Sequence, residues 1–280
     1  MSQTFPPVRL AALDLDGTLL NHEGQVTPRT RAALQAASDR GVVIVPTTGR
    51  PLGNLPPVVA QLPGVRYAIT SNGARVTDLT DNRTIFRAEI PRTMALELMD
   101  QLKTAHIGRT AHIDHQYLVE GHPLHAMGRM VYGKDANTSR CIPDLAQEMK
   151  ALDLDVEELQ FFFLGRNSRQ AVTSVLARFP DLCGAYSGLY VEIFHASASK
   201  GSGLGALVSH LGLEQEEVAC IGDGENDHPM FQAAGLRFAM GNAVDSLKAA
   251  ADVVLPSNRA NGVAMAIQSH ILPQNARSVR

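Results

Sequence analysis

Val8-Arg9-Leu10-Ala11-Ala12-Leu13-Asp14-Leu15-Asp16-Gly17-Thr18 is an almost unbroken apolar run that ends in two carboxylates, a glycine and a hydroxyl. Such a run, without polar alternation, predicts a strand buried on both faces, as in a parallel sheet. Its C-terminal edge then carries Asp14 and Asp16, and a bend at Gly17 lets both carboxylates face one place. Beyond this strand, Thr27-Pro28 spells a helix start, Ala32 to Ala37 continue it, and Gly41 reads as its cap. Val42 to Val45 is a second apolar run, which empties into Thr47-Thr48-Gly49-Arg50. Strand, helix and strand of these lengths form a βαβ unit, which puts this polar segment at the same sheet edge as Asp14.

The theme recurs later in the chain. Tyr67 to Thr70 leads into Ser71-Asn72-Gly73, and a helix from Gly203 to His210 is followed by the strand Val218 to Ile221 and the loop Gly222-Asp223-Gly224. Between these parts the texture changes, with strands at Leu159 to Leu164 and Leu189 to Phe194 and an amphipathic helix around Pro91 to Lys103. The reading is a doubly wound α/β core of residues 1–82 and 191–280, interrupted by an inserted α+β domain of residues 83–190. A chain of 280 residues accommodates two such units.

Composition narrows the function. The net charge is −3, and no Lys/Arg run exceeds two residues, so nothing marks a nucleic-acid or anionic membrane surface. Three scattered cysteines, Cys141, Cys183 and Cys220, suggest neither a disulfide framework nor a cysteine zinc site. The N-terminal segment MSQTFPPVRL has no apolar h-region, and no apolar stretch is long enough to span a bilayer. A cytoplasmic location is expected, with no nucleic acid or membrane as partner.

The acidic edge has the chemistry for phosphoryl transfer. Phosphate monoesters need rate enhancements of up to about 10²¹-fold, which calls for a nucleophile, charge neutralisation and proton transfer together. Asp14 is suited to attack phosphorus, with Asp16 protonating the leaving oxygen and later activating water. Two adjacent carboxylates stay ionised beside a hard cation, and Gly222-Asp223-Gly224-Glu225-Asn226-Asp227 adds an all-oxygen loop suited to Mg²⁺. Lys200 would offset charge on the transferring group, and Thr48 with the Gly49 amide would hold its oxygens.

DLDGT at Asp14 to Thr18, TTGR at Thr47 to Arg50, SKG at Ser199 to Gly201 and GDGEND at Gly222 to Asp227 resemble, in order, the four signature motifs of haloacid dehalogenase (HAD) phosphatases. ITSNGA at Ile69 to Ala74, VEIF at Val191 to Phe194 and NGVA at Asn261 to Ala264 resemble further segments of the Cof-type sugar-phosphate phosphatase branch, which carries a large αβ cap. The resemblance implies a Rossmann-like core and a Mg²⁺ site of Asp14, the Asp16 carbonyl and Asp223. It also implies phosphate contacts from Thr48, Gly49, Lys200 and Asn226, with Asp227, Arg50 and Asn72 in support. Thr47 stands where alanine is common in the family.

Each motif has a plainer reading: an isolated Asp-x-Asp is often a solvated turn and an isolated Gly-Asp-Gly a loop, and only the ordered set distinguishes them. Thr18 reads as a turn or cap hydroxyl. His106, His112, His115, His122 and His125 in the insertion read as substrate-facing or surface groups rather than zinc ligands. Phe161-Phe162-Phe163 reads as a strand with one buried face. A phosphomutase using the same aspartate, or a non-catalytic relative that binds metal or ligand, are the alternatives.

Overall fold

In a computed structural model the described residues are 7–132 and 138–277, so the first six residues of the N-terminal segment lie outside them. They form two compact units, one within Met1–Gly49, Leu55–Arg87 and Ser199–Arg280 and the other within Arg50–Asn54 and Ala88–Ala198.

The first unit is built on an eight-stranded sheet. Its strands are β1 (Leu10–Asp14), β2 (Val43–Thr47), β3 (Tyr67–Thr70), β4 (Arg75–Asp78), β5 (Arg83–Arg87), β12 (Val218–Gly222), β13 (Leu236–Ala239) and β14 (Val253–Val254). They lie in the order β14-β13-β12-β1-β2-β3-β4-β5. The six strands from β14 to β3 are parallel, and every residue of β1 and β12 is buried, as the unbroken apolar runs predict. The doubly wound reading needs one addition, because β4 and β5 continue the sheet antiparallel from β3. Thr27 caps the helix Pro28–Ser38 by accepting from the Thr30 amide, and Gly41 takes a left-handed φ of 80° just beyond its end. At the start of β1, the Asn275 side chain accepts from the Val8 amide at 3.0 Å and donates to its carbonyl at 2.9 Å, extending the ladder with a side-chain amide.

The second unit holds the strands β6 (Ile107–Ile113), β7 (Gln116–Glu120), β8 (Arg140–Ile142), β9 (Glu158–Phe163), β10 (Leu182–Tyr186) and β11 (Tyr190–His195). Their order is β10-β11-β9-β6-β7-β8, antiparallel except for β7 beside β8. Alternate residues Ala111, Ile113, Leu159, Phe161, Val191 and Ile193 pack on Leu98, Met99, Leu145, Met149 and Val172 from three helices. The phenylalanine run follows this alternation: Phe161 is fully buried, Phe163 packs beside it and Phe162 falls on the other face.

The unit boundaries differ from 83–190. Residues 83–87 stay in the first sheet, because the turn at Asn82, with φ of 58°, folds β5 back on β4. Residues 191–195 pair with β9 and β10, so VEIF belongs to the second unit. Val191 and Ile193 alternate with Glu192 and Phe194, the period of a half-exposed antiparallel strand rather than of a buried parallel one. Among the described residues no helix is long and apolar enough to cross a membrane.

Candidate active site

Asp14 is the last residue of β1, buried at the end of the strand. The chain then turns sharply: the Leu19 amide donates to the Asp14 carbonyl at 3.1 Å and the Leu20 amide to the Leu15 carbonyl at 2.9 Å. Asp16 is exposed in this turn, bridged through its backbone to Leu20. Gly17 has φ of 88°, and a Cβ there would lie 2.2 Å from Oδ2 of Asp223. The turn therefore requires glycine for its conformation and for the approach of a second loop.

That second loop leaves β12 at Gly222. Oδ2 of Asp227 accepts from the backbone amides of Asp223 at 2.8 Å and Gly224 at 2.9 Å, closing the loop on itself. Lys200 joins the two loops, because its Nζ donates to Oδ1 of Asp14 and to Oδ1 of Asp227, each at 2.6 Å. It starts the helix Lys200–Leu211, capped by Ser199, which accepts from the Ser202 amide. A Cβ on Gly73 would fall 1.9 Å from the Ser199 carbonyl, so this helix start also lies against the loop after β3.

The electrostatics follow from burial. Asp14 is pushed up to about 8 by loss of solvent, and Asp227 and Asp223 add to this while Lys200 opposes it. Asp223 is also raised, first by burial and then by Asp227, against the hydrogen bond from Thr18. Burial by itself would lower Lys200, but Asp14 and Asp227 outweigh it and hold the ammonium protonated. Carboxylate oxygens of Asp14, Asp223 and Asp227 lie within 4.8 Å of one another. This cluster contains no histidine or thiol, and an all-oxygen set of this kind suits a hard cation such as Mg²⁺. Among the described residues no other group of three such side chains comes within that distance.

A second group gathers around Asn72. Its Oδ1 accepts from Nδ2 of Asn226 at 3.0 Å, and a Cβ on Gly49 would meet the same Oδ1 at 3.1 Å. The Asn72 amide donates to the Thr48 carbonyl at 3.1 Å, while the Thr48 amide donates to Ile69 at 2.9 Å. Ser71 and Asn72 both have positive φ, 48° and 53°, which is costly for non-glycine residues and is retained where surrounding structure holds it. Thr48, Gly49, Asn72 and Asn226 thus come together, as do Asp14, Asp223, Lys200 and Asp227. Arg50 falls in the short segment Arg50–Asn54 that groups with the second unit.

Two residues escaped the sequence reading in different ways. Thr18 is no mere turn hydroxyl, because its Oγ1 donates to Oδ1 of Asp223 at 2.8 Å. Asn242 was not singled out, yet its Nδ2 donates to the Gly17 carbonyl at 2.9 Å and to Oδ2 of Asp223 at 3.2 Å. A lone Asn-Ala pair after β13 carries no spacing signal that would find it. His112 departs from a surface role: it is buried, and loss of solvent holds it down to about 4 against the pull of Glu157.

The profile of haloacid dehalogenase-like hydrolases matches residues 11–267, nearly the whole chain. The chain belongs to this family. Its curated relatives include the 5-amino-6-(5-phospho-D-ribitylamino)uracil phosphatase YwtE of Bacillus subtilis, 30% identical over 96% of this chain and 100% of the relative. The pyridoxal phosphate phosphatase YbhA of Escherichia coli is 28% identical over 94% of this chain and 99% of its own length. Among solved structures, a haloacid dehalogenase-like hydrolase from Bacteroides thetaiotaomicron superposes with a TM-score of 0.81, at 25% identity, over 93% of this chain and 98% of that one. This HAD chain is an enzyme, a phosphatase of the Cof-type branch with an α/β core and an α+β insertion.

Proposed function

We propose that this HAD phosphatase is a Mg²⁺-dependent phosphomonoesterase that hydrolyses small phosphorylated metabolites, sugar phosphates foremost, through a phosphoryl-aspartate at Asp14. The observation that carries this reading is Lys200, 1% exposed, held 2.6 Å from both Asp14 and Asp227 beside Asp223. A buried lysine between carboxylates at a strand end is costly to assemble and has little structural purpose there.

Asp227 already accepts three hydrogen bonds, so Asp14 and Asp223, with the Asp16 carbonyl, are assigned to hold the cation. Bound Mg²⁺ supplies the positive charge that keeps Asp14 ionised and offsets the phosphoryl oxygens. A carboxylate oxygen of Asp14 attacks phosphorus and the ester oxygen departs with a proton from Asp16. Asp16 then takes a proton from water, whose oxygen displaces Asp14 and releases inorganic phosphate. Thr48, Gly49, Lys200 and Asn226 are assigned to the phosphoryl oxygens, with Asn72 orienting Asn226, Asp227 orienting Lys200, and Arg50 in support. Specificity is assigned to the second unit.

The test is phosphate release from a panel of phosphorylated sugars, pyridoxal phosphate and phosphorylated pyrimidine derivatives, with Mg²⁺ and with chelator. Release that chelator abolishes is expected. Absence of release across the panel, or turnover that conserves the phosphoryl group on the substrate, would reject hydrolysis.

A further inference from the structure

We propose that Asn242 is a positioning residue for the divalent cation: its side-chain amide fixes the Asp223 carboxylate and ties it to the turn that follows Asp14. This rests on the assignment of Asp223 as a cation ligand. Each oxygen of Asp223 has a neutral donor of its own, the Thr18 hydroxyl on Oδ1 at 2.8 Å and the Asn242 amide on Oδ2 at 3.2 Å. Neutral donors hold the carboxylate in one rotamer without cancelling its charge, as groups behind a metal ligand must.

The orientation of the Asn242 amide is settled by its surroundings. Its Oδ1 accepts from the Asn258 backbone amide at 3.0 Å, so the NH₂ end must face Asp223 and Gly17. One hydrogen serves the Gly17 carbonyl and the other serves Asp223. Asn258 in turn donates through Nδ2 to the Leu20 carbonyl at 2.9 Å, which binds the far end of the same turn. The backbone beneath Asn242 is also fixed: the Met240 amide donates to Gly222 and the Val244 amide to Asp223, each at 3.0 Å. Asn242 therefore couples three segments, the turn after β1, the loop after β12 and the segment Leu255–Asn258.

Mn²⁺ binding to the full-length protein, read by electron paramagnetic resonance, tests the assignment without turnover. Asn242→Ala is expected to weaken Mn²⁺ affinity about 10–100-fold. Its KM for a phosphorylated substrate at saturating Mg²⁺ should stay at the wild-type value, a split that general loss of structure would not produce. Asn242→Leu keeps the approximate size but removes the amide donors without adding charge, so it should bind Mn²⁺ less well than wild type even if the alanine variant fails to fold. Wild-type Mn²⁺ affinity in either folded variant overturns the proposal. Asp223→Asn separates the two readings: if it loses Mn²⁺ while Asn242→Ala does not, only the positioning role falls, and if it retains Mn²⁺ the cation assignment falls with it.

Discussion

A Cβ on Gly17 would stand 2.2 Å from Oδ2 of Asp223, so two loops from opposite ends of the chain meet where only glycine fits. Its φ of 88° adds a conformational reason for the same residue. Gly17→Ala should therefore cost about 1–3 kcal/mol of stability from the strained backbone and displace the Asp223 carboxylate. Denaturant unfolding together with Mn²⁺ titration checks this, and an alanine variant with unchanged cation affinity would show that Asp223 has room to move.

Asp14→Asn removes the proposed nucleophile while keeping its shape. Turnover should fall by at least about 10³-fold, the scale seen when a covalent nucleophile is lost. The fold should persist, because the substitution replaces a buried carboxylate with a neutral group and Lys200 keeps Asp227 as its partner. A folded variant with substantial phosphate release would take the nucleophile role away from Asp14.

The raised value of Asp14, about 8, has consequences for the cation-free protein. Between the ordinary carboxylate value of 3.8 and about 8 the folded state holds a proton that the unfolded state has released. Its contribution to stability is complete below the lower value and is lost as pH rises through the window, by up to about 1.4 kcal/mol per pH unit. Cation binding should also release a proton below about pH 8. Unfolding at pH 5, 7 and 9 in chelator, for wild type and Asp14→Asn, tests both size and sign; equal slopes would deny Asp14 the proton.

His112 has the opposite sign. Burial holds it down to about 4, from 6.5, so it is neutral in the folded protein and must gain a proton on unfolding in acid. Stability should decline as pH falls from about 6.5 to about 4, by up to about 3 kcal/mol over the window. His112→Gln should flatten this limb of the profile, measured by thermal unfolding. An unchanged acid limb would place the acid sensitivity in other groups.

The strand ends were legible because their signal is local. Apolar runs of four or five residues followed by Asp, Gly, Thr or Asn announce parallel strands delivering polar groups to one edge, and β1, β2, β3 and β12 all lie where those runs predict. The insertion boundaries were less legible although the cue was present, since the alternation of Val191 and Ile193 with Glu192 and Phe194 marks a half-exposed antiparallel strand. Thr18 and Asn242 were harder still. A hydroxyl and an amide become supports for Asp223 only when segments far apart in the chain are brought into contact, and no periodicity records that contact.

Residue type and hydrophobic period by themselves determined that this chain is an α/β protein carrying carboxylates, a lysine and polar loops at one sheet edge, because strand formation and turn chemistry depend on neighbours in sequence. Tertiary structure alone decided that Lys200 bridges Asp14 and Asp227, that Asp14 is driven up to about 8, and that Asn242 and Thr18 grip Asp223. Distance, burial and hydrogen-bond partnership between segments are set by how the strands are ordered and packed, and the ionisation of a side chain follows from that surrounding.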